Sequence, residues 1–440
     1  MSSRPRAPWP LVALFTAGYV APYLLPTVVG RLSAGLGLAP AQAGLAGSVL
    51  LLASACAGFT LASRVERIGP RRAARAGLLA MVAGYGTAAA ASLVPLVIAG
   101  AVVGGFGSGT ATAVAAAGIA GQRDPHRAST LGLLSVSATA GALYLTLPHL
   151  GPGHGLPFAS IATVAAAVWP TTRGLAGSGV GPTAGTPTLS GSPLPHRRAG
   201  AVLAGAILLW SLAQNALWGV SGRIGVTQAG LGEVTVGAVF AVALGAGLVG
   251  VTAAGVLGSR LGRAVPIGAG TVTIAVCVWA SSGADGLASF ATGEILWNAV
   301  YPIVLSYLIG LAASLDPRGR WAVLVGSASS LGVACGPFTG SLLSEAAGYP
   351  GMGLVLGALL LTVAVPMTAV ALHTSGRPLV PGSVHRRGGA PAAVLAGRTP
   401  APTGPLPQMG APEQPIAEIP LKTRRTPRTA FRLARPGNRG

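Results

Sequence analysis

The chain has 440 residues, of which 51% are apolar and only 9% are Asp, Glu, Lys or Arg. Soluble domains carry about 25% charged residues, so this chain cannot coat a water-facing surface, and much of its exterior must face lipid. The formal charge of +20 does not make it a nucleic-acid binder: residues 376–440 contribute +9, and the rest lies in short clusters between apolar runs rather than on a basic face with interleaved aromatics.

A membrane helix needs about 20 mainly apolar residues. In chain order, such runs lie near 10–30, 43–63, 74–94, 96–119, 129–149 and 156–171. Arg4 and Arg6 precede the first run as they would in a signal peptide, but further spans follow, so it reads as an uncleaved helix. Residues 174–198, GLAGSGVGPTAGTPTLSGSPLPHRR, cannot bury a core and read as a flexible linker. Six more runs follow near 199–220, 234–257, 265–283, 287–313, 321–344 and 351–373. The tail, 376–440, is rich in Pro, Gly and Arg and reads as disordered.

The expected organisation is an all-α membrane protein of twelve transmembrane helices. Residues 1–173 and 199–375 form two six-helix halves, joined by the linker 174–198 and followed by the basic tail. The sixth run is short and the boundary between the third and fourth is soft, which leaves eleven or thirteen spans as alternatives. With the N-terminus inside, sixteen arginines before residue 376 fall in cytoplasmic segments and only Arg31 and Arg223 in outside loops. By the positive-inside rule both termini are cytoplasmic. Cys56, Cys277 and Cys335 sit inside apolar runs without metal-like spacing; they read as helix-packing thiols, and no metal site or disulfide framework is expected.

The loop after the second run reads Ala62-Ser-Arg-Val-Glu66-Arg67-Ile-Gly69-Pro70-Arg71-Arg72, and the loop after the eighth contains Gly255-Val-Leu-Gly-Ser259-Arg260-Leu-Gly262-Arg263. An offset of 193 residues lays Arg67 on Arg260, Gly69 on Gly262 and Arg127 on Arg320, which suggests an internal repeat. The first loop resembles the G-x-x-x-D-R-x-G-R-R/K signature of the major facilitator superfamily. Glu66 stands at its acidic position, while Ala62 replaces the opening Gly and Pro70 a usual Arg; in the second copy Ser259 replaces the acid. Gly332-Val-Ala-Cys-Gly336-Pro337-Phe-Thr-Gly340 looks like the eleventh helix of that superfamily. The resemblance covers about residues 10–373 and implies the major facilitator fold. It also implies a conformational latch at Glu66, Arg67, Gly69, Arg71, Arg260 and Gly262, whose ion pairs or helix-end contacts form in one state and break in the other. The alternative is that these charges only fix topology.

The same resemblance implies that the first, fourth, seventh and tenth helices line a substrate cavity near the midplane. Polar stripes at helical spacing fit that expectation: Thr16, Tyr19 and Tyr23 beside Pro22 and Pro26; Trp210, Gln214 and Trp218 with Ser211 and Asn215; and Glu294, Asn298 and Tyr301. Glu294 is the one acidic residue clearly within a span. A carboxyl there is a functional candidate, able to carry a proton between the two sides or to recognise a cationic substrate; the competing reading is a hydrogen-bonded Glu packed between helices. On the fourth helix Ala101 stands where many proton-coupled members have Arg, so that motif does not establish coupling. Gly100, Gly104, Gly105 and Gly109 read as close-packing positions.

The expected function is secondary transport of a small molecule by alternating access, with export ahead of import and proton coupling left open. The chain is expected to act as a monomer in the bilayer without cofactor or nucleic acid. The alternatives are a metabolite uptake permease, or a membrane receptor or scaffold that keeps the fold without transporting. No H-E-x-x-H, P-loop or Ser/His/Asp grouping points to an enzyme. Arg outnumbers Lys 28 to 1 in an Ala-, Gly- and Pro-rich chain, which suggests a GC-rich bacterial genome and the cytoplasmic membrane.

Overall fold

The structure is a computed structural model that describes residues 8–62, 64–122, 124–175, 194–257, 262–316 and 319–375. Almost all of these are helical. The first half holds α1 (Trp9–Tyr23), α2 (Leu25–Leu36), α3 (Pro40–Ala62), the one-turn α4 (Val65–Ile68), α5 (Pro70–Ala90), α6 (Val94–Ala120), α7 (Pro125–Thr146) and α8 (Gly155–Val168). The second holds α9 (Arg197–Arg223), α10 (Glu233–Leu257), α11 (Ala264–Ser282), α12 (Leu287–Leu315) and α13 (Arg320–Ser375).

Proline stands in the first turn of α3, α5, α6 and α7, where its missing N–H costs no helical bond. Within α13, Gly348 takes φ +69 and Pro350 follows, so one rod ends in a left-handed residue and the next begins with proline. The halves match in spacing. Pro40 and Glu233, and Val94 and Leu287, open helices 193 residues apart; Gly155 and the Gly348 break share that offset.

Among the described residues, eight helices are long and apolar enough to cross a membrane, or nine if the bent pair α1 and α2 is one span. The outward faces suit lipid. Val242, Val249 and Val256 recur every seventh residue along α10 and are 56%, 66% and 71% exposed. Soluble proteins rarely expose apolar patches of this extent. The chain is a multi-pass membrane protein.

Contacts define two ends of the bundle. At the proximal end, which holds the first and last described residues, Pro10 meets Gly174, Trp321 meets Gly200, and Arg75 donates to the Thr172 hydroxyl. At the distal end, His154 meets Gly35 and Ala91, and Ala41 N donates to Glu345. The glycine series serve close packing. Gly100 and Gly104 face Gly84, Tyr85 and Ala88 of α5; Gly105 and Gly109 face Leu50 and Ser54 of α3; and Gly332, Gly336 and Gly340 lie on α9.

Two expectations need correction. Arg31 and Arg223, counted in outside loops, are buried helical residues of α2 and α9. Of the three cysteines only Cys277 is buried, while Cys56 and Cys335 lie on exposed faces.

Candidate functional site

The α1–α2 rod bends by 47° at Leu24, between Pro22 and Pro26. Pro26 has no N–H to return to the Pro22 carbonyl one turn earlier. That carbonyl accepts from the indole Nε1 of Trp218 at 3.2 Å, across the interface between the halves. The neighbouring Tyr23 carbonyl accepts from the Tyr144 hydroxyl. The missing proline donor thus frees the Pro22 carbonyl for the opposite half, while the Tyr23 carbonyl is held by α7 of its own half. Trp218→Phe keeps the ring and removes one of the donors to the Pro22 carbonyl, at a cost of about 1 kcal/mol; the expected result is a lower thermal midpoint that Trp218→His partly restores.

Glu294 lies about two turns inside α12, roughly 10 Å from its distal start at 1.5 Å per residue. It is fully buried. Its Oε1 is 2.7 Å from Ser221 Oγ and 2.6 Å from Ser281 Oγ, while Oε2 has no hydrogen-bond partner among the described residues. Ser221 Oγ also lies 3.0 Å from the Leu217 carbonyl. A hydroxyl donates one proton. Ser221 can therefore donate to an ionised Glu294, or donate to Leu217 and accept from a neutral Glu294. Rotation of one hydroxyl accommodates either protonation state.

An aromatic cluster surrounds this carboxyl. Trp297, one turn further on, donates from Nε1 to Gln214 Oε1 at 2.8 Å. Trp210 stacks on Tyr301 with centroids 5.1 Å apart, and Trp218 lies 5.6 Å from Trp297 and 5.3 Å from Phe240. Asn298 donates back to the Glu294 carbonyl and Asn215 to that of Ser211. Glu294, Asn298, Tyr301, Gln214, Asn215, Trp218 and Tyr23 are all buried, and none of them lines the central opening or the distal cavity described next. Tyr19 borders a central opening between the halves with Gly18, Ser54, Thr112 and Ser330. At about 10 Å³ it holds roughly one water.

The latch loops are described in part. Gly69 takes φ +91 and Gly262 φ +68, which glycine adopts without strain. Arg67 is exposed, and Arg71 is half-buried with Nε unpartnered among the described residues. The Glu66 side chain and Arg260 lie outside the described residues.

The halves meet tightly at the distal end. Gly44 and Gly47 of α3 pack on Pro337 of α13, Phe338 N donates to Ser48 Oγ at 2.9 Å, and Gly222 of α9 packs on Pro26. Arg31 bridges to Glu233 at 3.0 Å. Beside this pair lies a cavity of about 340 Å³ between α2, α9 and α10, bordered by Arg31, Arg223, Glu233 and Phe240. Sequence reading missed it because both arginines were assigned to loops. The signal available was that each follows an unbroken apolar stretch.

Solved structures share this fold. A D-xylose-proton symporter aligns with TM-score 0.67 at 15% identity, over 84% of this chain and 98% of its own. The nucleoside transporter NupG, solved as a mutant, aligns at 0.66 and 11% identity over 82% and 99%. The POT family transporter PepTSo aligns at 0.68 and 10% identity over 86% and 100%. The chain has the major-facilitator-like fold of these transporters. No family model and no curated protein matches it. In this transporter fold the Glu294 cluster lies within the second half and the tight distal seal between the two.

Proposed function

We propose that the chain is a secondary transporter that moves a small molecule across the cytoplasmic membrane by alternating access, as a monomer of twelve spans with both termini cytoplasmic. The observation that carries the reading is a fold cut into two halves that meet distally through close glycine and serine contacts, Gly44, Gly47 and Ser48, and, among the described residues, the one ion pair Arg31–Glu233. Contacts of this kind can part without disturbing either half. In this topology the distal end is outside, and the sealed distal end corresponds to a state that exchanges substrate with the cytoplasm.

Glu294 is the candidate coupling group, since its surroundings accept both protonation states. The paucity of fixed charge near the centre favours export of amphipathic cargo. The loop residues Glu66, Arg67, Arg71 and Arg260, with Gly69 and Gly262, are proposed as the cytoplasmic latch. The test is flux of a labelled drug and metabolite panel in proteoliposomes, with and without a proton gradient. Movement of one or more compounds against their gradient is expected; no movement of any compound would favour a scaffold that keeps the fold.

A further inference from the structure

The distal cavity adjoins the Glu294 cluster at Phe240 but has its own chemistry. Its volume, about 340 Å³, lies in the range that takes a small organic ligand. Phe240, Val236, Val226 and Pro148 give it an apolar wall. Three charged groups border it, two cations against one carboxylate.

Both guanidinium groups are deeply buried yet incompletely used. Arg31 is 5% exposed: Nη2 donates to the Leu147 carbonyl and to Glu233, while Nη1 has no partner among the described residues. Arg223 is 8% exposed: Nη2 donates to Ser341 Oγ at 2.9 Å, while Nε has no partner among the described residues. The stem of Arg223 lies against Gly30, next to Arg31 in the chain. Arg223 also ends α9 where the helix widens into a π turn, Ile224–Gln228, a distortion frequent at functional sites. Buried donors left without acceptors are costly, and an anion toward which the two side chains turn removes that cost through charge-assisted bonds.

We propose that the distal cavity binds a small amphipathic anion, its carboxylate or phosphate held by Arg31 and Arg223 and its apolar body against Phe240, Val226 and Pro148. The same chemistry describes a free organic acid and the headgroup of an acidic lipid. Binding is expected whether or not the chain carries the ligand across, so failure of transport leaves it intact.

The experiment uses the full chain in nanodiscs of neutral phosphatidylcholine. 4-Phenylbutyrate, 4-phenylbutanol and 4-phenylbutylamine are titrated separately while thermal unfolding is followed, and phosphatidylglycerol is doped into a parallel set of discs. The expected result is stabilisation by the acid at concentrations at least about tenfold lower than for the alcohol or amine, lost in Arg223→Gln, which removes charge-assisted bonds. Stabilisation by phosphatidylglycerol alone, also lost in Arg223→Gln, supports the site and assigns it to lipid. Equal responses to acid, alcohol and amine, or no response to either acid or phosphatidylglycerol, overturn the proposal. So does unchanged binding in a folded Arg223→Gln. Should that variant not fold, Val226→Trp fills the cavity and leaves both arginines; retained selective binding in it also overturns the proposal.

Discussion

Replacing Gly44 with valine is expected to abolish net transport while leaving both halves folded. A Cβ at Gly44 would stand 2.5 Å from Ser341 Cβ and 2.6 Å from the Pro337 carbonyl oxygen. Neither neighbour is the far end of a flexible side chain. Gly44 belongs to the first half and its neighbours to the second, so the overlap vanishes once the halves part at the distal end. Overpacking costs about 1–3 kcal/mol, and here the cost falls on the distally closed state alone. At about 1.4 kcal/mol per tenfold, that shifts the balance toward the distally open state by about fivefold to just over a hundredfold. Gly109→Val is the contrast. Its Cβ would meet Ser54 backbone within the same half, where no movement of the halves relieves it, so loss of folded protein is expected.

The measurement is a spin-label distance between Ser33→Cys and Thr227→Cys, which border the distal cavity from opposite halves. The background carries Cys56, Cys277 and Cys335 as serine. Gly44→Val should lengthen the distance and stop flux. An unchanged distance together with unchanged flux would show that the distal seal does not take part in the cycle.

The second large effect is expected at Glu294. Glu294→Leu removes a buried carboxyl whose Oε2 is unpartnered among the described residues, and lets Ser221 keep its bond to Leu217. Removing the buried carboxyl relieves its desolvation cost, which offsets the acceptor lost by the buried Ser281 hydroxyl, about 1–3 kcal/mol. The thermal midpoint should therefore change little. Transport driven by a pH gradient should fall by at least about tenfold, because a positioned ionisable group inside a membrane is retained for function rather than stability. Glu294→Gln should behave in the same way, since its amide cannot exchange a proton. A lower midpoint with undiminished pH-driven flux would assign Glu294 to packing instead.

Glu294 was legible in the sequence because a carboxylate in an apolar run is conspicuous by its cost. Its partners were not. Ser221 and Ser281 are 73 and 13 residues away, and serines are unremarkable in a membrane helix. Trp297 was passed over because it lies on the same helix beside a polar stripe that did not include it, and only the packing of α12 on α9 turns its indole to Gln214. The stripe on helix one was read as cavity lining; the structure puts Tyr19 at a central opening and Tyr23 in the core.

By itself the sequence determined the order of the helices, the proline pair Pro22–Pro26 on the first, the break between the runs at 321–344 and 351–373, and the repeat near 193 residues. These follow from apolar length, proline's missing donor and glycine's tolerance of positive φ, which act over a few residues. Only the tertiary structure decided that Arg31 and Arg223 are buried beside a cavity rather than solvated in loops. An arginine's surroundings are set by whatever packs on it, and here those groups, Leu147, Glu233 and Ser341, come from helices more than a hundred residues away.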